Sequence, residues 1–456
     1  MTAPQHDLND LNDRLMAAVA SKDSDAVRAC LRDGADPDAP GPDGLPVLCA
    51  AVAGFDHETA DALTEGGADS DVELPDGTTP LLRAVDLGSP ALVGAVLGKD
   101  PRLRLSAADR KRLLGLARHW YETGEDEELR RRTGAAGPAT RRLVKDDNKY
   151  TDIEEVSLGG LTVRAGHSGV LTDLEREFGI LTPVAELVAR AVPYLDDLHA
   201  NWSTARYILA SRHDPEDWPA LAGLRHHPDP VHRRFLAGVL WSRNSSGEVF
   251  DRQDAVREAE LVAEWVLDEP DGEVLASVLD VYTDYGHPDE GAIGLRYADH
   301  PDPRVRREAV FCLIQRETPP SEVVVTTVLA LSRDPDSGVR VAVAGYFATR
   351  GDLTPVGRET LLTLIRDPDL WVRVRAAESL SGSRDRTAAV ADALAALLDE
   401  EDQLVRLEAA YALAIRDDPR TEWAYERVGP LGPDFDLDHR VHALSDYRRR
   451  NRPDGI

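Results

Sequence analysis

Cysteine is nearly missing from this chain, with 3 among 456 residues. Cys30, Cys49 and Cys312 are odd in number and sit inside apolar helical patterns, which excludes a disulfide framework. They read as buried thiols acting as small hydrophobes. No run of about 18 apolar residues occurs, so nothing is expected to span a membrane. The N-terminal MTAPQHDLND has no basic stretch followed by an apolar core, so no secretory signal is read there and the expected compartment is cytoplasmic. Positive charge is short as well. Lys and Arg number 53 against 82 Asp and Glu, giving a formal net charge of −29. That balance argues against nucleic-acid binding, which is dominated by neutralisation of phosphates. Catalytic fingerprints are also lacking: no Gly-x-Ser-x-Gly, P-loop, dinucleotide fingerprint or His-Glu-x-x-His occurs, and no cofactor is expected.

What is present is periodicity. The length exceeds one ordinary core, and a hydrophobic fraction of 42% supports folded structure throughout. Residues 1–100 carry net −13, residues 101–150 net +5 and the rest −21, so a basic connector separates two acidic blocks. The stretch HPDPRVRREAVFCL, residues 300–313, looks at first like a catalytic corner or half a metal site. It recurs as DPDSGVRVAVAGYF from Asp334, DPDLWVRVRAAESL from Asp367 and EEDQLVRLEAAYAL from Glu400. The Val-Arg pair falls at 305–306, 339–340, 372–373 and 405–406. Ala309, Val343, Ala376 and Ala409 follow each valine by four residues, and Leu313, Phe347, Leu380 and Leu413 by eight, which is one apolar helix stripe. Asp302 stands at an N-cap with Pro303 at the first helical position, and Asp336, Asp369 and Asp402 take the same place. His300 is a turn residue whose counterparts are Asp334, Asp367 and Glu400. A second amphipathic segment follows each copy, so each unit is a helix pair. Weaker copies begin at His227 and Glu269, a divergent pair spans about 197–225, and DLDHRVHALSDYRRR reads as a terminal helix.

Residues 197–448 resemble HEAT repeats in their short bacterial form with the Asp-Pro-x-x-Val-Arg turn, the form also found in phycobilisome lyases. The resemblance implies a right-handed α-solenoid in which Asp302/Arg306, Asp336/Arg340, Asp369/Arg373 and Asp402/Arg406 ladder between neighbouring units. It also implies that second helices, which carry Trp218, Trp265 and Trp423, line a concave face.

The N-terminal block has its own period. Gly34-Ala35-Asp36 and Gly67-Ala68-Asp69 lie 33 apart, as do Asp43-Gly44 and Asp76-Gly77. With Gly77, Thr79, Pro80, Leu81 and Ala84, this stretch resembles ankyrin repeats over about residues 10–100. Leu82 replaces the family's histidine, and Pro46, Val47 and Cys49 replace Thr, Pro and His.

The expected fold is therefore all-α: a double α-solenoid with ankyrin repeats over 1–100, a basic helical connector over 101–196, HEAT-like repeats over 197–448 and a tail over 449–456. Residues 103–147 read as helices, including PATRRLVKDD. IEEVSLGGLTVRA, residues 153–165, reads as a β-hairpin turning at Gly159-Gly160. A lone ribbon is marginal in water and should pack against an array.

The remaining polar clusters have architectural readings beside chemical ones. His226, His227 and His232 form the nearest approach to a metal set, but His227 precedes Pro-Asp-Pro as His300 does, and His232 is taken to replace the repeat arginine. No metal site is assigned. DFDLDH, from Asp434 to His439, starts like a calcium loop but lacks the required glycine and the bidentate twelfth ligand. Arg130, Arg131, Arg132, Arg141 and Arg142 form a small basic patch that pairs with the acidic arrays, or else receives an acidic partner or a phosphate. Trp218, Trp265, Trp371 and Trp423 are either inter-repeat core or exposed anchors, with Trp371 the one most open. Metal hydroxylases of the HEAT class use repeated His-Glu pairs, whereas here the single pair is His57-Glu58. HEAT-like glycosylases need a basic groove.

The expected function is a protein-binding scaffold without catalysis, whose acidic surface steers a basic protein partner. An accessory subunit resembling chromophore lyases is the alternative, on fold analogy alone.

Overall fold

A computed structural model describes residues 5–147, 149–245, 252–314, 320–349, 352–432, 435 and 438–451. The chain divides into two compact units, Met1–Arg243 and Asn244–Ile456, each mostly helical.

In the first unit, α1 (Gln5–Ala20) and α2 (Ser24–Arg32) are followed by α3 (Leu48–Ala53), α4 (His57–Glu65), α5 (Pro80–Leu87) and α6 (Pro90–Leu97). Three caps recur at intervals of 33 and start the second helix of each pair. Asp23 accepts from the Ala26 N–H at 2.9 Å, Asp56 from Thr59 at 3.2 Å and Ser89 from Leu92 at 3.2 Å. Thr79 caps α5 in the same way at 3.1 Å, whereas Val47 leaves α3 without a side-chain cap. The helices stack α3 on α5, α2 on α4 and α4 on α6, around Leu15, Val27, Leu48, Leu63, Leu81 and Leu92.

Next come α7 (Pro101–Arg104), α8 (Ala107–Thr123) and α9 (Glu125–Thr133). The segment from Thr140 is a strand and not the expected helix. β1 (Thr140–Lys145), β2 (Asp152–Leu158) and β3 (Leu161–Arg164) form an antiparallel sheet in the order β1-β2-β3. The expected hairpin is thus β2–β3, with β1 added along β2. Arg142 faces Glu155 and Lys145 faces Asp152, each pair closing at 2.8 Å, so cross-strand ion pairs decide a segment whose local composition also suits a helix. The sheet packs through Val156, Leu158 and Val163 on Trp120 and Leu129. It also touches the third helix pair, where the Gly166 N–H donates to the Gly88 carbonyl at 3.0 Å. A Cβ at residue 88 would lie 2.3 Å from the Arg164 carbonyl, so only glycine fits there.

The unit ends with α10 (His167–Glu177), α11 (Val184–Ala191), α12 (Ala200–Ser211), α13 (Trp218–Gly223) and α14 (Pro230–Ser245), all but the last two residues of α14 lying within it. α10 packs on α6, α8 and α12.

The second unit holds α15 (Arg252–Trp265), α16 (Gly272–Asp284), α17 (Glu290–Tyr297), α18 (Pro303–Cys312), α19 (Glu322–Leu331), α20 (Ser337–Ala348), α21 (Pro355–Leu364), α22 (Leu370–Gly382), α23 (Ala388–Ala396), α24 (Gln403–Ala414), α25 (Thr421–Val428) and α26 (His439–Asn451). Even-numbered helices from α16 to α26 stack directly on one another, and α17, α21, α23 and α25 pack along the flank of this layer. Val305, Val339, Val372 and Val405 are fully buried, as are Ala309, Val343, Ala376, Ala409, Leu313, Leu380 and Leu413. Phe347 belongs to the same core. No helix among the described residues is long and apolar enough to cross a membrane.

Candidate interaction surfaces

The repeated turn residues divide their work. Asp302, Asp336, Asp369 and Asp402 cap α18, α20, α22 and α24, accepting from backbone N–H groups of Arg304 (2.9 Å), Val339 (3.1 Å), Trp371 (2.9 Å) and Leu404 (2.8 Å). The arginines reach other acids. Arg306 grips Asp334 of the next unit with two bonds of 2.8 Å, Arg340 grips Asp367 likewise, and Arg373 meets Glu400 at 3.2 Å. The expected Asp/Arg ladder is therefore corrected: the carboxylate that joins units stands two residues before the cap, because the cap's own oxygen is occupied by backbone donors. Each arginine also ties its own turn. Arg306 donates to the carbonyls of His300 (2.8 Å) and Pro301 (3.0 Å), and Arg340 to those of Asp334 (2.8 Å) and Pro335 (3.2 Å). Arg406, near the end of the series, is held by the carbonyls of Glu400, Glu401 and Arg427.

Burial works against ionisation of Asp334 and Asp367. The arginine bonds, together with the N–H of Asp336 or Asp369, outweigh it and hold both carboxyls below the usual range. His300 fills the acceptor half of this role, its Nδ1 taking the Asp302 N–H at 3.2 Å. Leu275 occupies the preceding arginine position, four residues past the cap Asp271, so no guanidinium is there to reach His300. The histidine and the missing arginine account for each other. Across the same junction Arg304 bridges to Glu273 at 2.8 Å.

The histidine cluster lies at the corresponding turn of a divergent repeat. Arg233, and not His232, is the repeat arginine, since it donates to the carbonyls of His227 (2.7 Å) and Pro228 (3.2 Å) just as Arg306 does. His232 takes the valine position and stacks on His227 with ring centroids 3.6 Å apart. His226 faces Arg225 at 2.9 Å. Among the described residues no three His, Cys, Asp or Glu side chains gather as a metal site. Asp434 and Asp436 lie outside the described residues, as does the tail beyond Asn451. Cys30, Cys49 and Cys312 are buried and free, and burial pushes the Cys312 thiol up to about 12.

The basic patch closes on itself. Arg131 holds both oxygens of buried Glu128 at 2.7 Å, and Arg132 bridges Glu128 at 2.7 Å to Asp86 at 2.6 Å while lying 4.5 Å above the Trp120 ring. Arg130 pairs with Glu127 at 3.5 Å, Arg141 with Asp126 at 2.9 Å and with Glu154, and Arg142 with Glu155. The partners are acids of the connector itself, and of the expected arrays only Asp86 takes part, through Arg132.

The tryptophans separate by burial. Trp265 is 4% exposed, with its indole N–H on Glu269 at 2.8 Å, so it is core. Trp218 opens α13 half-buried. Trp423 is 39% exposed on α25 under Arg427, and Trp371, in the first turn of α22, is 63% exposed. Sequence reasoning passed over Trp241 and Arg206 because they lie in the divergent units, where the repeat register is weakest.

Residues 358–421 match the family model for HEAT repeats, a span running from α21 to the start of α25. No curated protein matches significantly. Among solved structures, the chain is similar to the E. coli protein YibA, at 16% identity and a TM-score of 0.42 over 60% of this chain and 97% of that one. It is also similar to an engineered protein, at 16% identity and a TM-score of 0.36 over 97% of this chain and 99% of that one.

Proposed function

We propose that this chain is a protein-interaction scaffold without catalysis of its own, presenting repeat surfaces to a protein partner whose approach its acidic surface favours when that partner is basic. In this reading residues 1–100 are ankyrin-type repeats, 101–196 a connector and 197–448 HEAT-like repeats. The paired helices, the caps at 23, 56 and 89, and the left-handed Gly34 and Gly67 support the ankyrin assignment. The observation that carries the function is the polar bookkeeping of the turns. The recurring Asp and Arg side chains are consumed in holding helices together, while Trp371 stands open on the first turn of a stacked helix. A large aromatic left bare beside a packed helix layer is the residue type that anchors protein interfaces.

The test is to purify partners on the immobilised full chain in low and high salt, identify the captured protein, and measure its affinity for Trp371→Ala. The expected outcome is a basic partner released by salt and bound at least about tenfold more weakly by the variant. Capture indifferent to both salt and Trp371→Ala would contradict the reading.

A further inference from the structure

α12 turns Trp202, Ala205, Ile208 and Leu209 into the core of the first unit. Arg206 leaves on another face, towards Trp241 of α14. The Arg206 stem lies over Gly238, where a Cβ would come within 3.3 Å of the Arg206 Cδ. Glycine is a poor helix former, and here it makes room for this stem. The guanidinium stands 6.0 Å from the centre of the Trp241 ring. Trp241 is 40% exposed and Tyr207 61%.

What sets Arg206 apart is its lack of an acceptor. Other recessed arginines of this unit each have an acceptor: Arg190 has Glu175 and Glu186, Arg164 has Asp146, and Arg243 has the carbonyls of Leu209 and Arg212. Among the described residues Arg206 makes no hydrogen bond or ion pair. Its recess depresses its pKa, and the carboxylate that opposes this, Asp197, is engaged by Arg234 at 3.3 Å. A half-buried guanidinium left without a carboxylate stands out in a chain with 82 acidic residues to draw on.

We propose that Arg206 and Trp241 form a docking site for an acidic peptide segment, with a partner carboxylate in the guanidinium fork and an adjacent apolar side chain against the indole. The site rests on the scaffold reading but not on the sign of the whole chain's charge. A planar fork with two parallel donors matches a carboxylate, and arginine beside tryptophan is the pairing that dominates protein interfaces.

The test uses the full chain and fluorescence anisotropy with three labelled twelve-residue peptides identical except at alternate positions, which carry Glu, Gln or Lys between Leu and Phe. The Glu peptide is expected to bind at least tenfold more tightly than the Gln or Lys peptides. Arg206→Gln and Trp241→Ala are each expected to lose that advantage with melting temperatures unchanged. Arg206→Glu is expected to reverse the preference towards the Lys peptide, which a folding defect would not do. Trp371→Ala is expected to leave binding intact, so failure of that surface and of this one are told apart. Equal binding of the three peptides, an unchanged Glu preference in Arg206→Gln, or displacement of the Glu peptide by millimolar inorganic phosphate would each overturn the proposal.

Discussion

A carboxylate two residues before a helix cap can serve two donors at once, and Asp334 and Asp367 do so. Each takes the N–H of its cap residue at 2.9 Å and the fork of an arginine from the preceding unit. Because both partners are largely shielded from water, Arg340→Gln should destabilise the second unit by about 1–3 kcal/mol, read by urea unfolding. An unchanged midpoint would show the clasp to be incidental. Glu408 behaves in the opposite way. Burial first, then the neighbouring Glu378, push its carboxyl up to about 7, and Arg440, 3.5 Å away, is already held by Asp438 at 2.7 Å. The folded state therefore binds this proton more tightly than the unfolded chain. Its contribution to stability falls as pH rises from the ordinary glutamate range to about 7, and is flat above. Glu408→Gln should raise the melting temperature at pH 8 and leave it nearly unchanged at pH 4. Equal shifts at both would refute the assignment. Of this layer the caps were legible in the sequence, since Asp-Pro at a helix start has a local cause. The unit-joining acids were aligned correctly as counterparts of His300, but their partner was not legible, because it lies a whole repeat away.

At the scale of elements, a 33-residue recurrence made the helices of the C-terminal repeats readable, while β1 was misread. Its Arg, Leu and Lys suit a helix as well as a strand, and the decision comes from Glu155 and Asp152 across the sheet. The register error at His232 has a similar origin. One residue separates Arg233 from it, and only the carbonyls of His227 and Pro228 show which side chain closes the turn. Trp265, a candidate anchor, is core because its indole N–H finds Glu269 one turn on. Two substitutions test the assigned stripe and caps. Leu380→Asp places a charge at a fully buried position of α22 and should cost several kcal/mol, roughly what an unpaired buried charge costs. Asp402→Ala removes two acceptor contacts at the start of α24 and should cost about 0.5–2 kcal/mol. Thermal melts in which Asp402→Ala is the more damaging would reverse the ranking of core over cap.

The molecule has two units, each mostly helical, and in the second the helices stack in sequence with a shared hydrophobic interior. In repeat arrays stability is roughly a sum over repeats and their interfaces. Turn residues maintain the stack, and exposed aromatics such as Trp371 and Trp241 face outward from it. The most direct measurement of this division compares Arg340→Gln with Trp371→Ala against one identified partner, recording melting temperature and affinity for each at a temperature where both are folded. Arg340→Gln should melt lower and bind as the parent does, while Trp371→Ala should melt as the parent does and bind at least about tenfold more weakly. If the arginine variant lost binding at unchanged stability, and the tryptophan variant lost stability at unchanged binding, the roles assigned to turn and surface would be the wrong way round.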